Sequence, residues 1–200
     1  MKKLLLSMLA LTFVVGCGNM DKKKDSNPSH EGHEYVDLGL SVKWATCNVG
    51  ANSPEDYGEY YAWGETSTKS IYSDDKCETW NQKIDDIKGT NRDVAHVKWG
   101  GDWRMPTKEE FDELREKCNW EWTGSGYEVT GPNGNSIYLP AAGCHSIEML
   151  FDDGWYGFYW SSTPHSEDSQ RAYELYFRSA EQHTPAGCRN FGHTVRPVLE

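Results

Sequence analysis

Positive charge is scarce in this chain. Twenty lysines and arginines stand against thirty-one aspartates and glutamates, for a formal net charge of −11. That balance argues against a nucleic-acid partner, whose proteins carry basic patches, and against electrostatic adhesion to anionic lipid. Long apolar runs are also missing. The longest, Leu4 to Val15, has twelve residues, too few for the roughly 20 needed to cross a bilayer. No pair of cysteines has CxxC spacing and no HExxH occurs, which disfavours a zinc ribbon, a thioredoxin-like site or a zinc protease. No glycine-rich phosphate loop is present, and Thr123-Gly124-Ser125-Gly126 lacks the spacing of a hydrolase elbow. The acid pairs Asp74-Asp75, Asp85-Asp86 and Asp152-Asp153 are sequence neighbours. Neighbours do not give the opposed carboxylates that glycoside hydrolysis needs.

Aromatic side chains take the place of the missing aliphatics. Nine tryptophans, eleven tyrosines and six phenylalanines accompany nineteen glycines. Rings and glycine turns suit an irregular fold of short strands better than a helical bundle, and most of these rings are expected in a core. Of six cysteines, Cys47, Cys77, Cys118, Cys144 and Cys188 remain once Cys17 is set aside. Five is odd, so at least one stays free or pairs between chains, and the connectivity of the others stays open.

The chain opens with a positive Lys2-Lys3, the apolar Leu4–Val15 run and Val14-Val15-Gly16-Cys17, the marks of a secretory leader. Val-Val-Gly-Cys resembles the lipobox of bacterial lipoproteins. The resemblance implies a signal peptide over 1–16, cleavage before Cys17 and multiple acylation of that cysteine. One acyl chain holds a membrane only marginally, so multiple acylation is what stable anchoring requires. Loss of Lys2 and Lys3 takes the formal charge from −11 to −13. Residues 17–33 are polar, charged and aperiodic, and read as a flexible lipidated tether. Gly18 in place of Asp is unlike an inner-membrane retention signal. The expected address is the outer membrane, with the cell surface as the outward-facing option.

Residues 34–200 read as one domain. Tyr35–Leu38, Ser41–Thr46, Phe158–Ser161, Ala172–Phe177 and Thr194–Val198 predict strands, and Tyr57–Gly64 an extended aromatic stretch. Tyr127–Thr130 and Ser136–Leu139 flank Gly-Pro-Asn-Gly-Asn and predict a hairpin. Thr66 to Asn91 predicts a polar excursion over the surface, with a helical turn following near Asp93 to Val97. Thr107 with Glu110 three residues later is a capping box. It predicts a helix with Phe111, Leu114 and Cys118 on one face, acids in its first turn and Arg115 and Lys117 in its last.

Several phrases carry a resemblance: Glu34-Tyr35-Val36-Asp37-Leu38-Gly39-Leu40-Ser41-Val42-Lys43-Trp44-Ala45, Tyr61-Ala62-Trp63-Gly64-Glu65-Thr66, Trp99-Gly100-Gly101-Asp102-Trp103-Arg104-Met105-Pro106-Thr107, Leu139-Pro140-Ala141-Ala142-Gly143, Tyr159-Trp160-Ser161-Ser162-Thr163 and Val195-Arg196-Pro197-Val198. In this order they resemble the major paralogous domain first named in Fibrobacter succinogenes, a family common in lipoproteins of gut Bacteroidetes. Arg104–Thr107 with its acidic helix is also similar to formylglycine-generating enzymes, and a related pattern occurs in the C-terminal domain of a collagen-like bacterial adhesin. The resemblance implies an α+β, C-type-lectin-like fold of short antiparallel strands, one or two helices and long loops. It does not carry a catalytic set. The surroundings of Cys188 do not match the copper-binding cysteine motif of those enzymes, and Gly131-Pro132-Asn133 lacks the acid of a calcium-binding lectin loop, so no metal or cofactor is expected.

Asp152-Asp153-Gly154-Trp155-Tyr156 places acids and rings beside a glycine in a loop. Rings stack on sugar faces and carboxylates accept hydroxyl hydrogen bonds, so Asp152, Asp153, Trp155 and Tyr156 are the candidate ligand-binding residues. The expected function is non-catalytic recognition of a glycan or other extracellular polymer by a membrane-anchored lipoprotein. An enzyme of formylglycine-generating or hydrolase type, and a structural subunit of a surface complex, are the alternatives.

Overall fold

A computed structural model describes residues 27–200; the expected signal peptide, Cys17 and most of the tether lie outside the described residues. In chain order the elements are β1 (Ser29–His30), β2 (His33–Val36), β3 (Lys43–Ala45), α1 (Val94–Trp99), α2 (Lys108–Lys117), β4 (Asn119–Trp122), β5 (Gly126–Thr130) and β6 (Ser136–Pro140). They continue with β7 (Cys144–Ser146), β8 (Met149–Phe151), β9 (Gly157–Pro164), β10 (Arg171–Arg178), β11 (Glu181–His183), β12 (Ala186–Cys188) and β13 (Val198–Leu199). The fold is α+β, with every strand pairing in its sheets antiparallel.

One sheet has the order β1-β2-β3-β13 and joins the two ends of the domain. β1 and β2 meet through Glu31 and Gly32, both at positive φ, as a two-residue hairpin turn requires. The folded part therefore takes in residues 27–33. His33 stacks on Trp99 with ring centroids 3.7 Å apart, and Trp103 Nε1 donates to the His30 carbonyl. A second sheet is the β4-β5-β6 meander, and β7-β8 is a separate hairpin. In the remaining sheet β10 pairs with β9 along one edge and with β11 and β12 along the other.

The capping box forms as expected. Thr107 Oγ1 accepts from Glu110 N–H, and the Glu110 carboxylate accepts from Thr107 N–H. Arg104 then clamps Glu110 through two hydrogen bonds of 2.8 and 2.6 Å, so the Arg-Met-Pro-Thr phrase is a fastening for α2. Asp93 caps α1 from a buried position, where its carboxylate accepts backbone N–H groups of Gly89, His96 and Met105. Arg196, fully buried, donates to Asn48 and to the carbonyls of Ala45 and Thr46. The conspicuous charged residues of the resemblance phrases thus hold the backbone together.

The core has two main clusters. Phe111 and Leu114 of α2 pack with Trp44, Tyr127, Val129, Leu139, Tyr159, Leu175 and Phe177. Tyr61, Trp63, Ile87, Val94, Met105, Trp160 and Val195 form the other. The excursion over 66–91 contributes to burial, with Tyr72, Cys77, Thr79 and Ile87 inside, and it includes a 3₁₀ turn at Asp74–Lys76. Three expectations need correction. The Tyr57–Gly64 stretch forms no strand and makes a single bridge, Tyr61 to His193. The last strand is only Val198–Leu199, because Pro197 has no N–H for the ladder. The short strands β1, β4, β7, β8, β11 and β12 lie outside the expected set. The five described cysteines form no disulfide.

Candidate functional site

Strands β9 and β10 carry rings on both faces. Their register pairs Tyr159 with Leu175 and Gly157 with Phe177 on one side, and Phe158 with Tyr176 and Trp160 with Glu174 on the other. The first side is the inner face: Tyr159, Leu175 and Phe177 are all at 0 % exposure under α2 and the β5–β6 hairpin. Gly157 is required there, since a Cβ on it would lie 2.1 Å from the Phe177 ring.

The outer face is divided. At its Trp160–Glu174 end it is covered by the second core cluster, and Trp160 Nε1 donates to the Tyr61 carbonyl at 2.8 Å. His193 lies on this end, stacked on Trp160 at 4.1 Å, with Nδ1 3.0 Å from a Glu174 carboxylate oxygen. Both side chains of that pair are buried. At its Phe158–Tyr176 end the second cluster does not reach, and both rings are half-buried. His193 also stacks on Phe158 at 5.2 Å and so links the covered end to the open one.

The sequence-predicted residues border this open end. Asp152 sits at φ 62°, the left-handed region that Asp tolerates better than most residues. Its carbonyl accepts from Trp155 and Tyr156 N–H, Gly154 N–H donates to Ala141, and Tyr156 accepts from Gly143 N–H. The turn is therefore fixed to the Ala141–Gly143 segment. Trp155 is 71 % exposed. Tyr156 lies over the sheet, with ring centroids 6.3 Å from Phe158 and 5.9 Å from Tyr176.

The two acids diverge. Burial pushes the Tyr176 phenol above its usual range, and Glu181, Tyr156 and Asp152 add to the effect against Arg178. Asp152 borders the ring face through its turn, where its carbonyl accepts the Tyr156 N–H. Asp153 instead raises the phenols of Tyr57 and Tyr60, secondarily to their burial. The structure brings Asp152 and Tyr156 together with the ring face, keeps Trp155 exposed beside them, and turns Asp153 toward Tyr57. Sequence reasoning missed Phe158, Tyr176 and His183, whose only signal was strand alternation combined with a register not readable from the chain.

Other surfaces differ in character. The β7–β8 tip exposes Ile147, Met149 and Phe151, and Ile147 holds φ 53°, unusual for a β-branched residue. A cleft of about 660 Å³ lies elsewhere, lined by His33, Glu34, Cys47, Asn52 and Trp99 among others. Asn133 and Asn135 donate to the Asp37 carbonyl, so the Gly-Pro-Asn turn serves docking of its hairpin. Among the described residues no three His, Cys, Asp or Glu side chains group as a metal site, and no helix is long and apolar enough to cross a membrane.

This architecture defines an α+β domain of mostly antiparallel sheet with an aromatic, partly open face. The chain belongs to the Lcl C-terminal domain family, which matches residues 35–199. No curated protein and no solved structure matches it.

Proposed function

We propose that this chain is a lipoprotein of the outer membrane, held by lipid on Cys17, whose domain has a C-type-lectin-like plan akin to the Fibrobacter major paralogous domains. The domain binds a glycan or other extracellular polymer and performs no chemistry on it. The observation that carries this reading is Trp155, 71 % exposed on a fixed turn beside Asp152 and Tyr156. A large ring held mostly in water beside a carboxylate suits stacking on a sugar face while the acid accepts hydroxyl hydrogen bonds. Burial, with nearby acids adding to it, pushes the Cys118 thiol up to about 11 and Cys144 up to about 12. Thiols protonated at neutral pH are poor nucleophiles, so these two cysteines are poor candidates for thiol catalysis.

A glycan array probed with the purified chain tests the reading; the expected result is selective retention that Trp155→Ala abolishes. A folded chain that retains nothing would overturn it. The anchor is checked separately by metabolic labelling with a radiolabelled fatty acid, expected to be lost in Cys17→Ala. A second reading, a structural subunit of a surface complex, is favoured by the apolar tip at Ile147, Met149 and Phe151. It expects Met149→Asp to release a co-purifying envelope protein while leaving glycan retention intact.

A further inference from the structure

The ring face next to the Asp152–Tyr156 turn is more regular than a single stacking residue requires. Phe158 and Tyr176 are direct register partners on β9 and β10, with ring centroids 5.4 Å apart. Tyr176 and His183 are direct partners on β10 and β11, at 6.3 Å with planes 12° apart. Tyr156 completes a triangle with Phe158 and Tyr176, at 6.3 and 5.9 Å. Phe158, Tyr176 and His183 cross three adjacent strands, and their spacing follows the interstrand distance of roughly 4.8 Å, widened by side-chain lean. It is close to the advance of one hexose unit along an extended polysaccharide. Cross-strand packing already fixes the rings, so binding costs little further rotamer freedom.

The polar border selects the kind of chain. Asp152 lies on the turn beside Tyr156, whose N–H its carbonyl accepts. Glu181 holds Arg178 at 2.5 Å and has His183 Nε2 at 3.5 Å. Arg178, the one arginine bordering the row, is thus engaged by a carboxylate. The border offers acceptors for hydroxyl groups and no unengaged guanidinium for a sulfate or carboxylate, on a chain of net charge −11.

We propose that Phe158, Tyr176 and His183 form a row of stacking subsites for two to three consecutive hexose units of a neutral polysaccharide, with Tyr156 widening it beside Phe158 and Tyr176, and with Asp152 and Glu181 accepting hydroxyl hydrogen bonds at its border. The proposal rests on the recognition reading above and gives it a ligand class, a direction and a length. A polymer lying along the row runs perpendicular to β9, β10 and β11, with Tyr156 and the Trp155 turn at its flank.

The test uses the purified full chain in affinity electrophoresis through gels containing hydroxyethylcellulose, starch, galactomannan, xylan or heparin. Titration calorimetry follows, with oligosaccharides of two to six units cut from the retarding polymer. The expected result is retardation by at least one neutral polymer, none by heparin, and affinity rising at least tenfold from two to three units and then levelling. Tyr176→Ala is expected to weaken binding at least tenfold with the melting temperature nearly unchanged, and Tyr176→Phe to keep it. If Trp155→Ala abolishes binding while Tyr176→Ala and Phe158→Ala bind like wild type, the turn alone is the site: the row is overturned and the recognition reading stands. Heparin binding more tightly than every neutral polymer overturns the neutral class. A folded chain retarded by nothing overturns the row and the recognition reading together.

Discussion

The two faces of the β9–β10 pair are built from the same residue type and meet opposite fates. On the inner face Tyr159 and Phe177 stack at 5.8 Å, Tyr127 meets Phe177 edge-on, and the Tyr159 hydroxyl donates to the Pro140 carbonyl. The rings there pack on one another, and the Tyr127 hydroxyl likewise donates to a carbonyl, that of Arg178. On the outer face Trp160 is sealed by the layer contributed by residues 61–95 and 172–195, whereas Phe158 and Tyr176 continue the same face into solvent. Aromatic content alone therefore does not separate core from site. What separates them is where the covering layer stops, and here it stops between Trp160 and Phe158, with His193 stacked across the boundary.

The comparison can be broken most forcefully on the inner side. Phe177→Ala removes a ring at 0 % exposure from the middle of the main cluster and is expected to cost about 3–5 kcal/mol, read by urea unfolding. A loss below about 1 kcal/mol would mean that the inner face is not the main core. The covered end of the outer face comes next. Glu174→Ala leaves His193 Nδ1 without its polar neighbour in a buried setting, with an expected cost of about 1–3 kcal/mol. An effect near zero would place the boundary of the covering layer one residue pair further in.

A smaller effect sharpens the role of α2, which covers the inner face. Burial works against ionisation of Asp112, but hydrogen bonds from Lys108 and Thr184, with the charges of Lys108 and Arg115, outweigh it and hold the carboxyl below its usual range. A lowered folded value adds stability above the unfolded value of about 3.9, and that stability is lost as pH falls through the folded value. Asp112→Asn is expected to reduce stability at pH 7 and to leave it closer to wild type below about pH 3, as followed by thermal melts across pH. A constant difference at all pH values would contradict the assignment. The smallest effect belongs to the open end: Tyr176→Ala is expected to cost no more than about 1 kcal/mol, the worth of its ring contacts.

The sequence made some of this legible. Thr107 and Glu110 announced α2 because a capping box is read from four consecutive residues. The Gly131–Asn135 turn announced the β5–β6 hairpin in the same local way, with Thr130 opposite Ser136 as the closing pair. β9 and β10 were legible as strands but their faces were not. Phe158, Tyr159 and Trp160 are all aromatic, so a period of two leaves no trace in hydropathy. The turn at Asp152–Tyr156 stood out through its composition, and the structure splits its acids between two environments, a divergence set by the positive φ at Asp152 and Gly154. Tyr176 and His183 could not be joined to it from sequence. Their neighbourhood depends on register across three strands and on a covering layer contributed by residues far away in the chain. The ordered stretch over 27–33 was hidden for the same reason, since its anchors, Trp99 and Trp103, lie some seventy positions on.

Hydroxyl-radical footprinting of the full chain, with and without the neutral polymer that retards it, tests the central claim most directly because it reads both faces in one experiment. The expected result is oxidation of Trp155, Tyr156, Phe158 and Tyr176 in the free chain, strong protection of all four by the polymer, and no labelling of Tyr159 or Phe177 in either state. Equal labelling of Phe158 and Tyr176 with and without a bound polymer would contradict the account.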